Sequence, residues 1–222
     1  VVTGCLAERY RSEILKEIPE VDAVVGIGSN AAIVQILERL AGEEHIESYG
    51  AKEALPLGGR RVISTPHHYA YLKIAEGCSN GCYYCAIPMI RGRLRSRTVE
   101  DLTAEARFLA SEGVRELIVV AQDVTAFGAD RGQVEIGRLL DELNRVEGIQ
   151  WIRLLYCYPE EIDANLIQVM KEEPKICHYL DLPIQHASDT ILKKMGRRTS
   201  KAQLVDTIRT LREEIPDITL RT

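Results

Sequence analysis

From Tyr69 to its last residue the sequence alternates short apolar runs with amphipathic stretches, and nothing else in the chain constrains its fold as strongly. The pattern predicts a strand over Tyr71–Ala75, then a helix entered at Thr98, three residues before Asp101 as in an N-terminal cap. Leu102, Ala106 and Leu109 carry that helix at helical spacing, and Gly113 stops it. Strands over Glu116–Ala121, Trp151–Tyr158, Tyr179–Ile184 and Ile218–Thr222 follow, separated by helices over Glu135–Val146, Ile162–Lys171 and Lys201–Glu214. Such β–α repeats with near-continuous apolar strands imply an α/β fold, a parallel sheet or barrel covered by crossover helices. Chemistry in such barrels sits at the carboxyl ends of the strands. Those ends are Glu76–Cys78, Gln122–Asp123, Tyr156–Tyr158 and Gln185–His186, so the polar residues gather on one rim.

The first sixty residues read as a separate, shorter alternation: strand Val1–Thr3, helix Glu8–Ile18, strand Val21–Val25, helix Ala31–Leu40. Ala41–Arg61, with Gly42, Gly50, Pro56, Gly58 and Gly59, has linker character. At 222 residues the chain holds one large domain, or one and a piece of another. It begins and ends inside strands, which reads as a fragment of something longer. Its 45% apolar and 27% charged residues suit a soluble globular protein. Apolar runs such as Leu117–Ala121 fall far short of the roughly 20 residues a membrane helix needs, so no membrane partner is expected. A net charge of −5 argues against a globally basic nucleic-acid clamp and leaves a local basic patch open.

Cysteines stand at 5, 78, 82, 85, 157 and 177, three of the six within eight residues. The first residues have neither a charged segment nor a long apolar run, so they are no signal peptide, and a reducing cytoplasm with a metal site is the better reading. Cys78-Ser-Asn-Gly-Cys82-Tyr-Tyr-Cys85 is a CxxxCxxC loop directly after a strand. Three thiolates from one loop can hold three irons of a 4Fe–4S cluster and leave the fourth open to the amino and carboxylate groups of S-adenosylmethionine. A structural zinc site needs four ligands, and His67 or His68 would have to supply the fourth. Zinc and unligated thiols both stay open on spacing alone.

Glu76-Gly77-Cys78 through Cys85, Ile87-Pro88-Met89-Ile90-Arg91-Gly92 and Ser96-Arg97 resemble the radical S-adenosylmethionine core of the methylthiotransferases. That family has tRNA-modifying members and RimO-type members that modify a ribosomal protein. The resemblance implies a partial, TIM-like (βα)6 barrel over residues 63–222, truncated before its last strand. Residues 1–62 would be the C-terminal part of the family's N-terminal, auxiliary-cluster domain, and the C-terminal TRAM-like β-barrel would be absent. Val2-Thr3-Gly4-Cys5 resembles the end of that N-terminal domain, which makes Cys5 the third ligand of a second 4Fe–4S cluster. Without the resemblance Cys5 is more simply a small buried hydrophobe.

The tRNA-modifying pattern has Gln-Asn, Ser-His-Pro and Gln-Ser-Gly-Ser where this chain has Gln122-Asp123, Tyr156-Cys157-Tyr158-Pro159 and Gln185-His186-Ala187-Ser188, which resemble the RimO type. The implied reaction is β-methylthiolation of an aspartate in small-subunit ribosomal protein S-twelve, using two molecules of S-adenosylmethionine. An electron from the cluster on Cys78, Cys82 and Cys85 cleaves one molecule to a 5′-deoxyadenosyl radical, which takes hydrogen from the β-carbon. In the implied scheme the auxiliary cluster, partly held by Cys5, would carry or donate the sulfur, the second molecule would supply methyl, and a reductase or flavodoxin-like protein would supply the electron. A tRNA adenosine methylthiotransferase and a non-catalytic zinc or iron–sulfur scaffold are the alternatives. With two auxiliary ligands upstream of it, the fragment alone is expected to be inactive in sulfur transfer.

Gln122 and Gln185 are candidate cofactor contacts, since an amide bonds ribose hydroxyls or a carboxylate; a hydrogen bond closing the rim is the plainer role. Tyr84 resembles the family position whose backbone meets adenine. Arg91, Arg93, Arg95 and Arg97 are either one solvated face of an extended loop or a basic rim, with Arg91 and Arg97 the candidates for the cofactor carboxylate or a partner. His186 is more simply structural than catalytic, and Cys157 and Cys177 are read as core or surface residues. Gly26-Ile-Gly28-Ser-Asn-Ala31 partly fits a dinucleotide fingerprint, with Glu47 beyond it, but no clear second strand follows. Under the resemblance its glycines serve the helix entry.

Overall fold

The computed structural model describes residues 1–42, 45–59 and 61–222. Strand β1 (Val2–Thr3) leads into α1 (Cys5–Tyr10), α2 (Ser12–Glu17), β2 (Ala23–Val25), α3 (Ile33–Arg39) and β3 (Ile46–Ser48). The three strands form a parallel sheet in the order β1-β2-β3. Where one helix was expected over Glu8–Ile18 there are two, because Arg11 at φ +47° interrupts the ladder between them. Strand β3 lies in the stretch that reads as linker, pairing Glu47 with Val24 and burying Ile46 with Ala23, Val25 and Ile36. Three residues with one apolar side chain give too little periodicity to be seen. Glu43, Glu44 and Arg60 of the expected linker lie outside the described residues.

Next come β4 (Tyr69–Lys73), β5 (Ala75–Glu76), α4 (Ile87–Arg91), β6 (Arg95–Ser96), α5 (Val99–Ser111), β7 (Glu116–Val120) and α6 (Ile136–Asn144). They are followed by β8 (Trp151–Leu154), α7 (Ala164–Glu172), β9 (Ile176–Asp181), α8 (Asp189–Lys194), α9 (Lys201–Glu214) and β10 (Thr219–Arg221). The main sheet is all parallel and ordered β4-β7-β8-β9-β10, each new strand adding on the same side. Helices α5, α6, α7 and α9 pack side by side, so the whole is the wall of an open α/β barrel. Leu72, Leu117, Val119, Ile152, Leu154 and Leu180 are fully buried in the core. Tyr71 and Trp151, on the alternate positions, are about half exposed. Full burial on both faces, expected from the apolar runs, is therefore not found: along β7 Leu117 and Val119 are buried while Glu116, Ile118 and Val120 are only partly so, the alternation of a sheet more deeply covered on one face.

The expected cap at Thr98 is present, its Oγ1 accepting from the Asp101 N–H at 3.2 Å. Strand ends differ from expectation in informative ways. Strand β4 starts and stops two residues early, and Ala75–Glu76 instead pair antiparallel with Ser96 and Arg95. Strand β8 stops at Leu154, not Tyr158, because Tyr156 turns to φ +63° and Asp181 takes up the Tyr156 and Cys157 N–H groups. Strand β9 is Ile176–Asp181, not Tyr179–Ile184, since Pro183 has no N–H for a ladder and Gln185 sits at φ +66°. Among the described residues no helix is long and apolar enough to cross a membrane.

Candidate functional site

The β5–β6 ribbon launches the cysteine loop. Gly77, at φ +77°, lies so close to the returning chain that a Cβ there would meet the Arg93 carbonyl oxygen at 2.2 Å. The loop is then anchored on several sides. The Cys78 N–H donates to the Gly92 carbonyl, Ser79 Oγ accepts from the Leu94 N–H, and Asn80 Nδ2 donates to Asp123 Oδ2 at 2.6 Å. The Tyr83 N–H reaches the Met195 carbonyl at 3.1 Å, tying the loop to the end of α8. A turn from the Cys82 carbonyl to the Cys85 N–H, 3.0 Å, folds the last cysteine back before α4 begins.

Cys78, Cys82 and Cys85, all half-buried, line one cavity of about 240 Å³. Tyr84, Gln122 and Gln185 share it, as do Tyr156, Tyr158 and Arg197. Gln122 follows β7 and Gln185 follows β9, so the carboxyl ends of the strands form its walls. The side chain of Gln122 donates to Glu76 Oε1 at 3.2 Å, while its Oε1 is buried with no hydrogen-bond partner. An orphaned acceptor costs about 1–3 kcal/mol, and the residue that carries this one lines the cysteine cavity. Burial pushes the Cys78 thiol above its ordinary value, and the charge of Asp123 adds to that. Among the described residues no three Cys, His, Asp or Glu side chains converge as ligands of a single metal ion. His67 and His68 precede β4, five residues and roughly 17 Å from its far end, and so cannot complete a zinc site with the loop.

Glu76 and Asp123 support the site without lining its cavity. Glu76 is fully buried and accepts from Arg91 Nη1 at 2.6 Å and Lys73 Nζ at 3.1 Å. Asp123 accepts through Oδ1 from the Thr125 N–H, Thr125 Oγ1 and the Ala126 N–H, and burial raises its carboxyl. His186 turns away, its Nδ1 accepting from the Ser188 N–H at 2.9 Å. Cys157 is buried in the core, while Cys177 is half-buried on β9. Tyr158 and Arg197 were not singled out from sequence as site residues, and no local pattern marks Arg197.

The four arginines neither form one solvated face nor line the cavity. Arg91 donates to Glu76 and to Cys5 Sγ. Arg95 caps the carbonyls of Lys52, Glu53 and Leu55. Arg97 is buried against Asp101, Glu105 and the Lys73 carbonyl, which removes it from any basic rim; Arg93 is exposed. Cys5 begins α1, and its Sγ accepts from Arg91 at the end of α4. The glycine loop at 26–31 does lie between parallel strands, contrary to the sequence reading. Its anion position, however, is taken by Glu8, whose Oε2 accepts from the Ile27 N–H at 3.1 Å. A Cβ on Gly28 would meet the Ala51 carbonyl oxygen at 2.2 Å, so protein backbone fills the space of a pyrophosphate.

The profile described as Radical SAM superfamily matches residues 72–222. The chain belongs to the radical SAM superfamily. Across its whole length this radical SAM chain is 53% identical to a Lachnoclostridium phytofermentans protein named ribosomal protein uS12 methylthiotransferase RimO. It is 50% identical to a protein of the same name from Acetivibrio thermocellus, again along all of its length. It spans 51% of each, about half the length of these curated relatives. Among solved structures, the cobalamin-dependent S-adenosylmethionine radical enzyme OxsB matches 99% of this chain with 35% of its own, at a TM-score of 0.66 and 12% identity. TsrM, a radical S-adenosylmethionine methyltransferase from Kitasatospora setae, matches 72% with 33% of its own, at 0.56 and 17%. At those identities the likeness is one of fold, and it places the open barrel among radical SAM folds.

Proposed function

We propose that this chain is the catalytic part of a methylthiotransferase that modifies the β-carbon of an aspartate in ribosomal protein uS12. The observation that carries the reading is one cavity at the carboxyl ends of the strands, walled by Cys78, Cys82, Cys85, Gln122 and Gln185. Similarity to RimO proteins along the entire chain supports the substrate. In this reading the three cysteines hold a 4Fe–4S cluster, and a three-thiol loop with room beside it suits a cluster with one open iron. Gln122 Oε1, buried and unpartnered, would accept from the amino group or a ribose hydroxyl of S-adenosylmethionine. Gln185 and Tyr84 would flank the cofactor from the other walls. A cluster and cofactor held there would supply one-electron radical chemistry, which an unactivated C–H bond requires because acid–base groups cannot break it.

Residues 1–62 are assigned to the end of an auxiliary-cluster domain, with Cys5 a ligand of the second 4Fe–4S cluster and residues 63–222 the radical core. Arg91, a cofactor contact by its motif, is assigned instead to holding Cys5 beside the buried Glu76. The reaction is placed in the cytoplasm, with a reductase or flavodoxin-like electron donor.

The test is anaerobic co-expression of the full-length protein in a host lacking its own methylthiotransferases, followed by mass spectrometry of uS12 peptides and digested tRNA. Methylthioaspartate in uS12 with unmodified tRNA is the expected result. Methylthioadenosine in tRNA with unmodified uS12 would transfer the same chemistry to a nucleic acid. A purified protein that yields no 5′-deoxyadenosine under strong reductant would be a scaffold.

A further inference from the structure

Tyr158 and Arg197 form a layered contact with one of the three loop cysteines. Tyr158 Oη lies 3.0 Å from Cys82 Sγ, across 76 residues of sequence. The tyrosine is 8% exposed, and its N–H donates to Thr125 Oγ1 at 3.1 Å, so the ring is fixed from the backbone outward. The guanidinium carbon of Arg197 stands 3.8 Å from the ring centroid. Arg197 is itself held by both oxygens of Glu160, at 3.1 and 2.9 Å, with its side chain 1% exposed. A buried cation is thus pinned to the face of a phenol whose hydroxyl ends at a cysteine sulfur.

A ligating thiolate has no proton to give, so in this pair the phenol must donate. Hydrogen bonds to a charged acceptor are about twice as strong as neutral ones, and a cation on the ring polarises the O–H further. Donors to cluster sulfurs stabilise the reduced, more negative state and raise the reduction potential.

We propose that Tyr158 is a positioning residue for the cluster: its hydroxyl donates to Cys82 and, with Arg197 against its ring, sets how readily the cluster accepts an electron. The proposal rests on the reading that Cys78, Cys82 and Cys85 hold that cluster. It assigns a role to a tyrosine that distinguishes this chain's Tyr-Cys-Tyr-Pro segment.

The experiment uses the full-length protein reconstituted anaerobically, in wild-type form, as Tyr158→Phe, and with 3-fluorotyrosine at position 158. Iron and sulfide content and an EPR-monitored redox titration are read for each. Tyr158→Phe is expected to keep its cluster while the ratio of reduced to oxidised cluster at fixed potential falls about tenfold, about 59 mV for one electron. The 3-fluorotyrosine protein, a stronger donor of nearly the same shape, is expected to shift the ratio upward. Intact clusters with equal potentials in all three would overturn the proposal and leave the cluster reading standing. A wild-type protein that takes up no iron would overturn both. If Tyr158→Phe loses its iron, the fluorinated protein decides, and an unshifted potential there overturns the proposal.

Discussion

Arg91 donates to Cys5 Sγ through Nε and Nη2, at 3.3 and 3.2 Å, although 86 residues separate the two. Its remaining nitrogen, Nη1, donates to Glu76 Oε1 at 2.6 Å. One guanidinium therefore joins the first helix of the small sheet to the ribbon that launches the cysteine loop, where α1 packs on α4.

That junction predicts a pH-dependent loss. Burial alone would raise the Glu76 carboxyl, but hydrogen bonds from Arg91 and Lys73 outweigh it and hold the group below its ordinary value. A depressed carboxyl contributes stability that is present above its unfolded value of about 4.3 and lost as pH falls through the folded one. Arg91→Met should cost about 1–3 kcal/mol at pH 7, moderated because Lys73 and Gln122 still serve Glu76. The gap between wild type and variant should narrow below about pH 4. Urea unfolding at both pH values checks this, and a gap that widens in acid would refute it.

Glu8 gives a second prediction, because it fills the anion position of a glycine loop that otherwise follows a dinucleotide pattern. Its side chain is 2% exposed and accepts from the buried Ile27 N–H. Glu8→Ala should cost about 1–3 kcal/mol by leaving that donor unsatisfied. Neither protein should bind a dinucleotide, since Gly50 and Ala51 occupy the space beside Gly28. Calorimetric titration with NADH checks this, and saturable binding by wild type would contradict it.

What the sequence revealed and what it hid divide along physical lines. The βα repeats from Tyr69 onward were legible because each strand and helix is long enough to show its period, and the cysteine spacing was legible because all three thiols come from one loop. Strand β3 and the β5–β6 ribbon were hidden, being two or three residues long and defined by partners rather than by pattern. The Tyr158–Cys82 pair was hidden because only the closing of the barrel wall brings the two together. Asp123 reads as a marker of substrate class, yet its carboxylate is taken up by Thr125, Ala126 and Asn80, which bind the β7 loop to the cysteine loop. Arg97 fits a family motif and is spent on Asp101 and Glu105.

Gly77 is the residue on which the loop's entry angle depends. It combines a positive φ with backbone 2.2 Å from any added Cβ, so no side-chain rearrangement relieves the strain. Gly77→Ala should destabilise the protein by more than about 2 kcal/mol and lower reconstituted iron content severalfold. Gly81→Ala is the control: it shares a positive φ, at +71°, but meets nothing within 4 Å. It should cost only about 1–2 kcal/mol, the ordinary left-handed penalty. Thermal unfolding with iron analysis separates the two, and equal losses would mean that packing at Gly77 is unimportant.

The Arg197–Glu160 pair predicts a strongly non-additive cycle. With side chains 1% and 8% exposed, each charge is compensated chiefly by the other. Removing one leaves an unpaired charge in a poorly solvated place, so Arg197→Met and Glu160→Met should each cost about 3–5 kcal/mol. The double variant should cost well below the sum, because two apolar side chains of similar length leave no charge behind. Arg197 also covers the ring of Tyr158, so the double variant should retain its fold yet let that ring move more freely against Cys82. Denaturant unfolding of all four proteins measures the coupling. Additive losses would show that water already reaches this pair and that Arg197 packs on Tyr158 without being held there by Glu160.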